Sequence, residues 1–138
     1  MTYLTEVEID VAQVLSGDRE EHLGALVDTA VSALTEGTVV VRTSRVLITG
    51  DDADSSLNIA RQVSDAVVEV VQRVLAATPL RFVIAKGGIT SSDVATRGLG
   101  IRHATVIGPM LSGIVSLWSG QDGPAAGIPY VRPLVSVA

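Results

Sequence analysis

The amino-acid sequence predicts an α/β fold: a layered sandwich with a mainly parallel sheet, helices on both faces and short edge strands near the C-terminus. Short valine-rich runs alternate with longer segments in which apolar residues recur every three or four positions. Strands that alternate in this way with helices are typical of parallel sheets, whose strands are apolar on both faces. The chain has 138 residues, about the size of one domain, so we expect residues 1–138 to form a single domain.

The first predicted elements are a strand, a helix and a second strand. Leu4–Asp10 alternates apolar and acidic residues, a pattern typical of a half-exposed edge strand. Asp18–Glu36 carries apolar residues at helical spacing, and Asp18 and Glu21 have the spacing of a capping box. Thr38–Thr43 is apolar enough to predict a buried strand.

A long helix, a strand, a short helix and a further strand are predicted next. Ser55–Ala76 is predicted as the long helix, which ends before Pro79. The apolar seam of this helix consists of Ala60, Val63, Val67, Val70 and Val74. Leu80–Ala85 and Ala104–Ile107 are predicted as strands, with the short helix Ser91–Leu99 between them.

After Gly108 the chain becomes rich in glycine and proline. Two short apolar pieces, Ile114–Trp118 and Tyr130–Val135, interrupt this stretch, and we predict them as edge strands. The chain enters a predicted strand almost directly after Met1 and finishes on an apolar segment. We therefore expect it to be a fragment of a longer protein.

Composition and charge exclude several classes of partner and site. The net charge is −5, aromatic residues make up 3% of the chain, and Lys86 is the only lysine, which argues against nucleic acid as a partner. Every long apolar run is interrupted by charge or glycine, so we expect no membrane span and a cytoplasmic protein. The chain has no cysteine, and neither His22 nor His103 has a partner at metal-ligand spacing, so we expect no metal held by the protein itself.

The best candidate site follows the strand Leu80–Ala85. Ligands of parallel sheets bind beyond the carboxyl ends of the strands, where this chain has Lys86, Gly87, Gly88, Ile89, Thr90 and Ser91. The glycine pair allows a close approach of the backbone to a ligand, and a helix start beyond it favours an anion. The alternative is structural: Thr90 and Asp93 have capping-box spacing, and Lys86 could be a solvated surface residue.

Two other groups of polar residues are candidate sites. Ser44 and Arg45 follow the strand Thr38–Thr43 and could donate hydrogen bonds to a phosphate or a carboxylate. The acidic cluster of Asp51, Asp52 and Asp54 could suggest magnesium, but it directly precedes a predicted helix. Helix capping is the preferred interpretation of this cluster.

One long stretch of the chain resembles a known family. The run RFVIAKGGITSSDVATRGLGIRHATVIGPMLSGIVSLWS, followed by GIPYV, resembles the nucleotide-binding, C-terminal domain of the four-carbon acid sugar kinase family. The preceding run VVVRTSRVLITGDDADSSLNIARQVSDAVVEVV looks like the strand and long helix of the same domain, so the resemblance extends from about Val39 to Val131. Its most specific parts are KGGITSSD and GPMLSG.

The resemblance implies an ATP-dependent kinase that phosphorylates a four-carbon sugar acid such as threonate, erythronate or a 3-oxo derivative. It implies ATP or ADP as cofactor, with Mg²⁺ bound through the nucleotide. Carried over by position, Lys86 and the five residues Gly87 to Ser91 would contact the phosphates, and Gly108 and Gly113 would shape the neighbouring wall. It identifies no catalytic residue in this chain, and the sugar-acid-binding domain of the family is missing from it.

One departure from the family keeps other interpretations open. Where the family has a Gly-Asn-x-Gly loop, this chain has Arg132, Pro133 and the apolar residues after them. The first alternative is a non-catalytic regulatory module that binds a nucleotide or a phosphometabolite. The second is a structural domain that forms a homodimer through Ile114–Trp118.

Overall fold

The computed structural model describes residues 3–44, 50–86, 93–101, 104–111, 115–121 and 123–133. Its elements are β1 (Tyr3–Ile9), α1 (Val11–Val14), α2 (Arg19–Leu34), β2 (Gly37–Thr43), α3 (Ala53–Ala77), β3 (Val83–Ile84), a π-helical turn (Val94–Gly98), β4 (Ala104–Leu111), β5 (Val115–Gly120) and β6 (Pro129–Pro133). The mixture of helices and strands, with parallel strand pairs, confirms the predicted α/β class. The chain forms two compact units, Met1–Val74 and Leu75–Ala138, which are described separately.

The first unit is built on a parallel pair of strands. β1 and β2 are paired along their whole length, from Tyr3 opposite Gly37 to Ile9 opposite Thr43. Val7 and Ile9 of β1 are buried, whereas Leu4 is 67% exposed, which confirms the predicted half-exposed strand. Helix α2 packs against both strands, and its buried residues are Leu23, Val27 and Ala30.

The prediction that the second strand is buried was wrong. β2 is a strand, but Val40 and Val41 are 39% and 36% exposed. Successive side chains of a strand point to opposite faces, so neither face of β2 is fully covered here. Among the described strands, β2 pairs with β1 alone, and a two-stranded sheet covers little apolar surface.

The start of α2 differs from the predicted capping box. Asp18 precedes the helix, but its side chain makes no capping hydrogen bond. Its backbone has φ −87° and ψ 5°, whereas a capping residue normally has extended angles. Asp10, which precedes α1, has the extended conformation, and its carboxylate accepts a hydrogen bond from the backbone N–H of Ala12 at 3.0 Å.

The long helix α3 is confirmed and ends before Pro79, as predicted. Its buried residues are Ala66, Val68, Val70 and Val74. Of the predicted seam, Val70 and Val74 are therefore buried, whereas Val63 and Val67 are half-buried and Ala60 is exposed. The helical spacing correctly predicted an apolar stripe, but packing covers only its C-terminal half.

The second unit contains a four-stranded mixed sheet with the order β3-β6-β5-β4. β3 and β6 are parallel, and β5 runs antiparallel to both β4 and β6. The two strands predicted near the C-terminus are confirmed, but β5 and β6 lie in the middle of the sheet. The edge positions belong to β3, which has only two residues, and to β4.

The third predicted helix is, in the described residues 93–101, a π-helical turn. Leu99 N–H donates to Val94 O at 2.8 Å, five residues back, and Ile101 N–H donates to Ala95 O at 2.9 Å. Gly100 ends the turn with φ +68°, a left-handed conformation that favours glycine. A Cβ atom on Gly100 would lie 3.3 Å from Cδ of Pro124, so this turn packs closely against the loop before β6.

Candidate functional site

The predicted site begins at the carboxyl end of β3. The backbone N–H of Ala85 donates to Val131 O of β6 at 3.1 Å, which extends the parallel pairing to the residue before Lys86. Lys86 is exposed, and none of the residues that the structure describes forms an ion pair with it. Gly87, Gly88, Ile89, Thr90 and Ser91 lie outside the described residues.

Strand pairing places Gly108 in the same row as the end of β3. Ile84 pairs with Val131, Val131 with Leu117, and Leu117 with Gly108, across all four strands. The prediction that a strand ends at Ile107 was wrong, because β4 continues to Leu111. The register of β4 is irregular on both sides of Gly108 and Pro109, as expected where a proline occupies an edge strand.

Both sequence motifs lead to one edge of this sheet. The parallel strands β3 and β6 end there, and because β4 is antiparallel to β5, the pair formed by Leu111 and Val115 lies at the same edge. The interval between Leu111 and Val115 contains Gly113, which is outside the described residues. Lys86, the first residue of the KGGITS motif, lies at this edge. β4 contains the first four residues of the GPMLSG motif and ends at the same edge. The sequence predicted a ligand site at such an edge.

Charge is distributed unevenly between the two units. Residues 75–138 contain five Lys and Arg residues and two acidic residues, a net charge of +3, whereas residues 1–74 have a net charge of −8. The unit with the four-stranded sheet is therefore cationic although the whole chain is acidic. A local positive charge favours an anionic ligand.

Ser44 and His22 form hydrogen bonds with the backbone of the first unit. The backbone N–H of Ser44 donates to Ile9 O at 2.8 Å, and its Oγ accepts from Val11 N–H at 3.1 Å, so Ser44 holds the junction of β1 and α1. Arg45 is outside the described residues. His22 lies on α2, and its Nε2 accepts a hydrogen bond from Asp10 N–H at 2.9 Å.

The acidic cluster before α3 caps that helix, as preferred from the sequence. Asp52 Oδ1 accepts from Ser55 N–H at 2.7 Å, and this hydrogen bond, together with one from the Ser55 hydroxyl, lowers the pKa of Asp52 below its ordinary value of 3.8. Asp51 and Asp54 are exposed. In the part of the chain that the structure describes, no group of three or more His, Asp or Glu residues could hold a metal ion.

A pocket that the sequence did not predict lies at the opposite edge of the sheet. It has a volume of about 430 Å³ and is lined by residues 75–80 together with Pro124, Ala126 and Ile128. Leu80 precedes β3 and Ile128 precedes β6, so the pocket lies at the amino ends of these strands and does not adjoin Lys86. Its lining carries no charged side chain.

Comparison with known proteins gives a family and a fold. The family described as "Nucleotide-binding C-terminal domain" matches residues 1–132, and the chain belongs to this family. The resemblance drawn from the sequence, to the nucleotide-binding domain of the four-carbon acid sugar kinases, is confirmed at this level. No curated protein matches the chain.

A solved structure from Bordetella bronchiseptica has a similar fold. It is described as a domain of unknown function (DUF1537) with bound citrate, crystallised as a domain-swapped dimer. The TM-score is 0.62 and the sequence identity 22%, over 94% of this chain and 30% of that one. This chain therefore spans less than a third of its structural neighbour.

Within the described residues, no helix is both long and apolar enough to cross a membrane.

Proposed function

We propose that this chain is the nucleotide-binding domain of an ATP-dependent kinase that phosphorylates a four-carbon sugar acid of the threonate, erythronate or 3-oxo-tetronate type. The family match supports nucleotide binding. The observation that carries the proposal is that KGGITS and GPMLSG, motifs separated in sequence, lead to one edge of a cationic unit.

The residues of this edge fit the phosphate groups of a nucleotide. The exposed Lys86 ammonium can neutralise one phosphate charge, and glycine residues at positions 87 and 88 leave room for the backbone to approach the others. Gly108, in the row of Ile84 and Val131, adds no side chain to this part of β4. ATP supplies the phosphoryl group when bound, with Mg²⁺ across its phosphates.

In this proposal, the acceptor half of the reaction belongs to the sugar-acid-binding domain that the kinase family has besides its nucleotide-binding domain. Phosphoryl transfer depends mainly on positioning and on neutralising charge, and both tasks suit Lys86 and the glycine-containing sequence that follows it. We also propose that the protein is cytoplasmic and that it forms a homodimer. The dimeric description of the structural neighbour is compatible with the latter.

Calorimetric titration with ADP and with adenosine tests the phosphate site. We expect weak ADP binding, about millimolar or −4 kcal/mol, and still weaker binding of adenosine. Gly88→Val should lower the ADP affinity roughly tenfold, about 1.4 kcal/mol, because a branched side chain would crowd the approach of the phosphates.

Gly17→Val is a matched control, because no atom lies within 4 Å of a Cβ placed on Gly17 and the residue is in the other unit. Equal ADP affinity of Gly88→Val and the wild type would contradict the phosphate site. ADP binding without phosphorylation by a longer protein that includes the acceptor domain would favour the regulatory alternative.

A further inference from the structure

We propose that Phe82 and Ile84 form an apolar platform for the base of the nucleotide, on the same face of β3 as Lys86. The inference rests on the proposed function, because it assigns further residues to the same ligand. Neither the motifs of the sequence nor the description of the family gives these two residues a role.

Exposure alternates along β3 and the residues that flank it. Phe82 is 45% and Ile84 59% exposed, whereas Ala85 is 8% exposed. Val83 is half-buried and Lys86 is exposed. Successive side chains of a strand point to opposite faces, and the hydrogen bond from Ala85 N–H to the backbone of β6 extends the pairing beyond Ile84. Phe82, Ile84 and Lys86 therefore lie on one face.

This face is open at β3 but covered at the next strand. Ile84 pairs with Val131 of β6, and paired residues of neighbouring strands point to the same face, yet Val131 is only 6% exposed. Among the described residues of the second unit, Phe82 and Ile84 are the large apolar side chains that are exposed. Sites for small molecules combine such apolar side chains with a small number of charged groups, and Lys86 is the charged group here.

The spacing of the three side chains fits a nucleotide that lies along β3. At a rise of about 3.3 Å per residue, the Cα atom of Lys86 lies about 7 Å from that of Ile84 and about 13 Å from that of Phe82. The ribose of a nucleotide separates its base from its phosphates, so phosphates bound at the Lys86 ammonium leave the base over Ile84 and the Phe82 ring. An aromatic ring stacks on any base, and the continuity of the apolar pair with a cation selects a ligand that has a flat ring at one end and negative charge at the other.

A magnetic resonance titration of the wild-type chain tests the platform without any substitution. Phe82 is the only phenylalanine of the chain, so ring-labelled phenylalanine gives one set of ring signals that needs no assignment. ADP should shift the ring signals, because the ring current of a stacked base changes their local field. Pyrophosphate, which has two phosphates and no base, should bind at Lys86 and leave the ring signals in place.

Three variants test the same platform by calorimetry. Phe82→Ala should bind ADP about tenfold more weakly, as for a lost stacking contact, with the affinity for pyrophosphate unchanged. Phe82→Trp should retain the ADP affinity, because it keeps an aromatic ring. Leu57→Ala is the matched control: Leu57 is 51% exposed on α3 of the first unit, and this variant should match the wild type.

The outcomes separate the platform from the proposed function. Wild-type binding of ADP without a shift of the ring signals, an equal shift with pyrophosphate, or equal ADP affinities of Phe82→Ala and Leu57→Ala would overturn the platform and leave the proposed function intact. A shift that depends on protein concentration and not on ADP would identify a second copy of the chain as the occupant, and it would likewise overturn the platform. Failure of the wild type to bind ADP or ATP would overturn both.

Discussion

Arg42 lies between Glu6 and Glu8 on the β1–β2 pair and forms ion pairs with both. The hydrogen bond from its guanidinium to Glu6, supported by the two negative charges, raises the pKa of Arg42. Arg73 is held in a similar way by Glu20 of α2 and by Glu69 of its own helix. Both arginines of the first unit thus form ion pairs with carboxylates of the same chain, whereas Lys86 forms none with the described residues.

Asp52 gives a prediction for the pH dependence of stability. Its folded-state pKa is lowered by the hydrogen bonds from Ser55, so its ionised form stabilises the fold above its ordinary value of 3.8. This contribution is lost as the pH falls through the lower, folded-state value. Asp52→Asn should therefore reduce stability at about pH 7, while the difference from the wild type should shrink as the pH falls below 3.8.

Urea unfolding of the wild type, Asp52→Asn and Asp51→Asn across this range is the measurement. Asp51→Asn changes the same charge one residue earlier and serves as the control. A constant difference between Asp52→Asn and the wild type at all pH values would show that ionisation of Asp52 does not stabilise α3.

At the scale of elements, local patterns predicted what each segment forms but not its partners. The apolar and acidic alternation of Leu4–Asp10 and the spacing along α2 and α3 depend on neighbouring residues, and these elements appear as predicted. The extension of β4 through Gly108 and Pro109 depends on pairing with β5, which local propensity does not encode. The site followed the same division: Lys86 was found from its motif, whereas the position of Gly108 in the row of Ile84 emerged only from the register of the four strands.

Two glycines of different elements give opposite predictions for stability. Gly100 has φ +68°, so Gly100→Ala should destabilise the protein by about 1 to 2 kcal/mol, with the contact to Pro124 adding to the loss. Gly24 is inside α2, where a Cβ atom would meet nothing within 4 Å. Gly24→Ala should stabilise the protein by up to about 1 kcal/mol. Denaturant midpoints of the two variants check both signs, and a Gly100→Ala variant as stable as the wild type would contradict the close turn.

At the scale of the whole molecule, the proposed function predicts that this chain binds the nucleotide but not the sugar acid. The second unit has a net positive charge, which suits the proposed binding of phosphates, but among the described residues no polar cluster suggests an acceptor pocket. Binding two reactants in the correct orientation can lower the activation free energy of their reaction by about 7 to 11 kcal/mol. A chain that holds the nucleotide alone should lose nearly all of this contribution.

We therefore expect no phosphorylation of threonate or erythronate by this chain, even when it binds ADP. A coupled assay of ADP release, run on this chain and on a longer protein that includes the sugar-acid-binding domain, is the measurement. The longer protein should show turnover that depends on the sugar acid. Substrate-dependent turnover by the short chain would contradict the assignment of this chain to one half of the enzyme.

The pairing of β3 with β6 also determines the order in which the second unit can assemble. Leu111 of β4 pairs with Val115 of β5, four positions later in the chain, whereas Val83 and Tyr130 are paired although 47 positions separate them. Closing the longer loop costs more entropy, so the hairpin should form early and β3 should dock late. Lys86 then reaches the carboxyl edge of the sheet only when β3 has docked. A ligand bound at Lys86 would act mainly by slowing the loss of β3 rather than by accelerating folding.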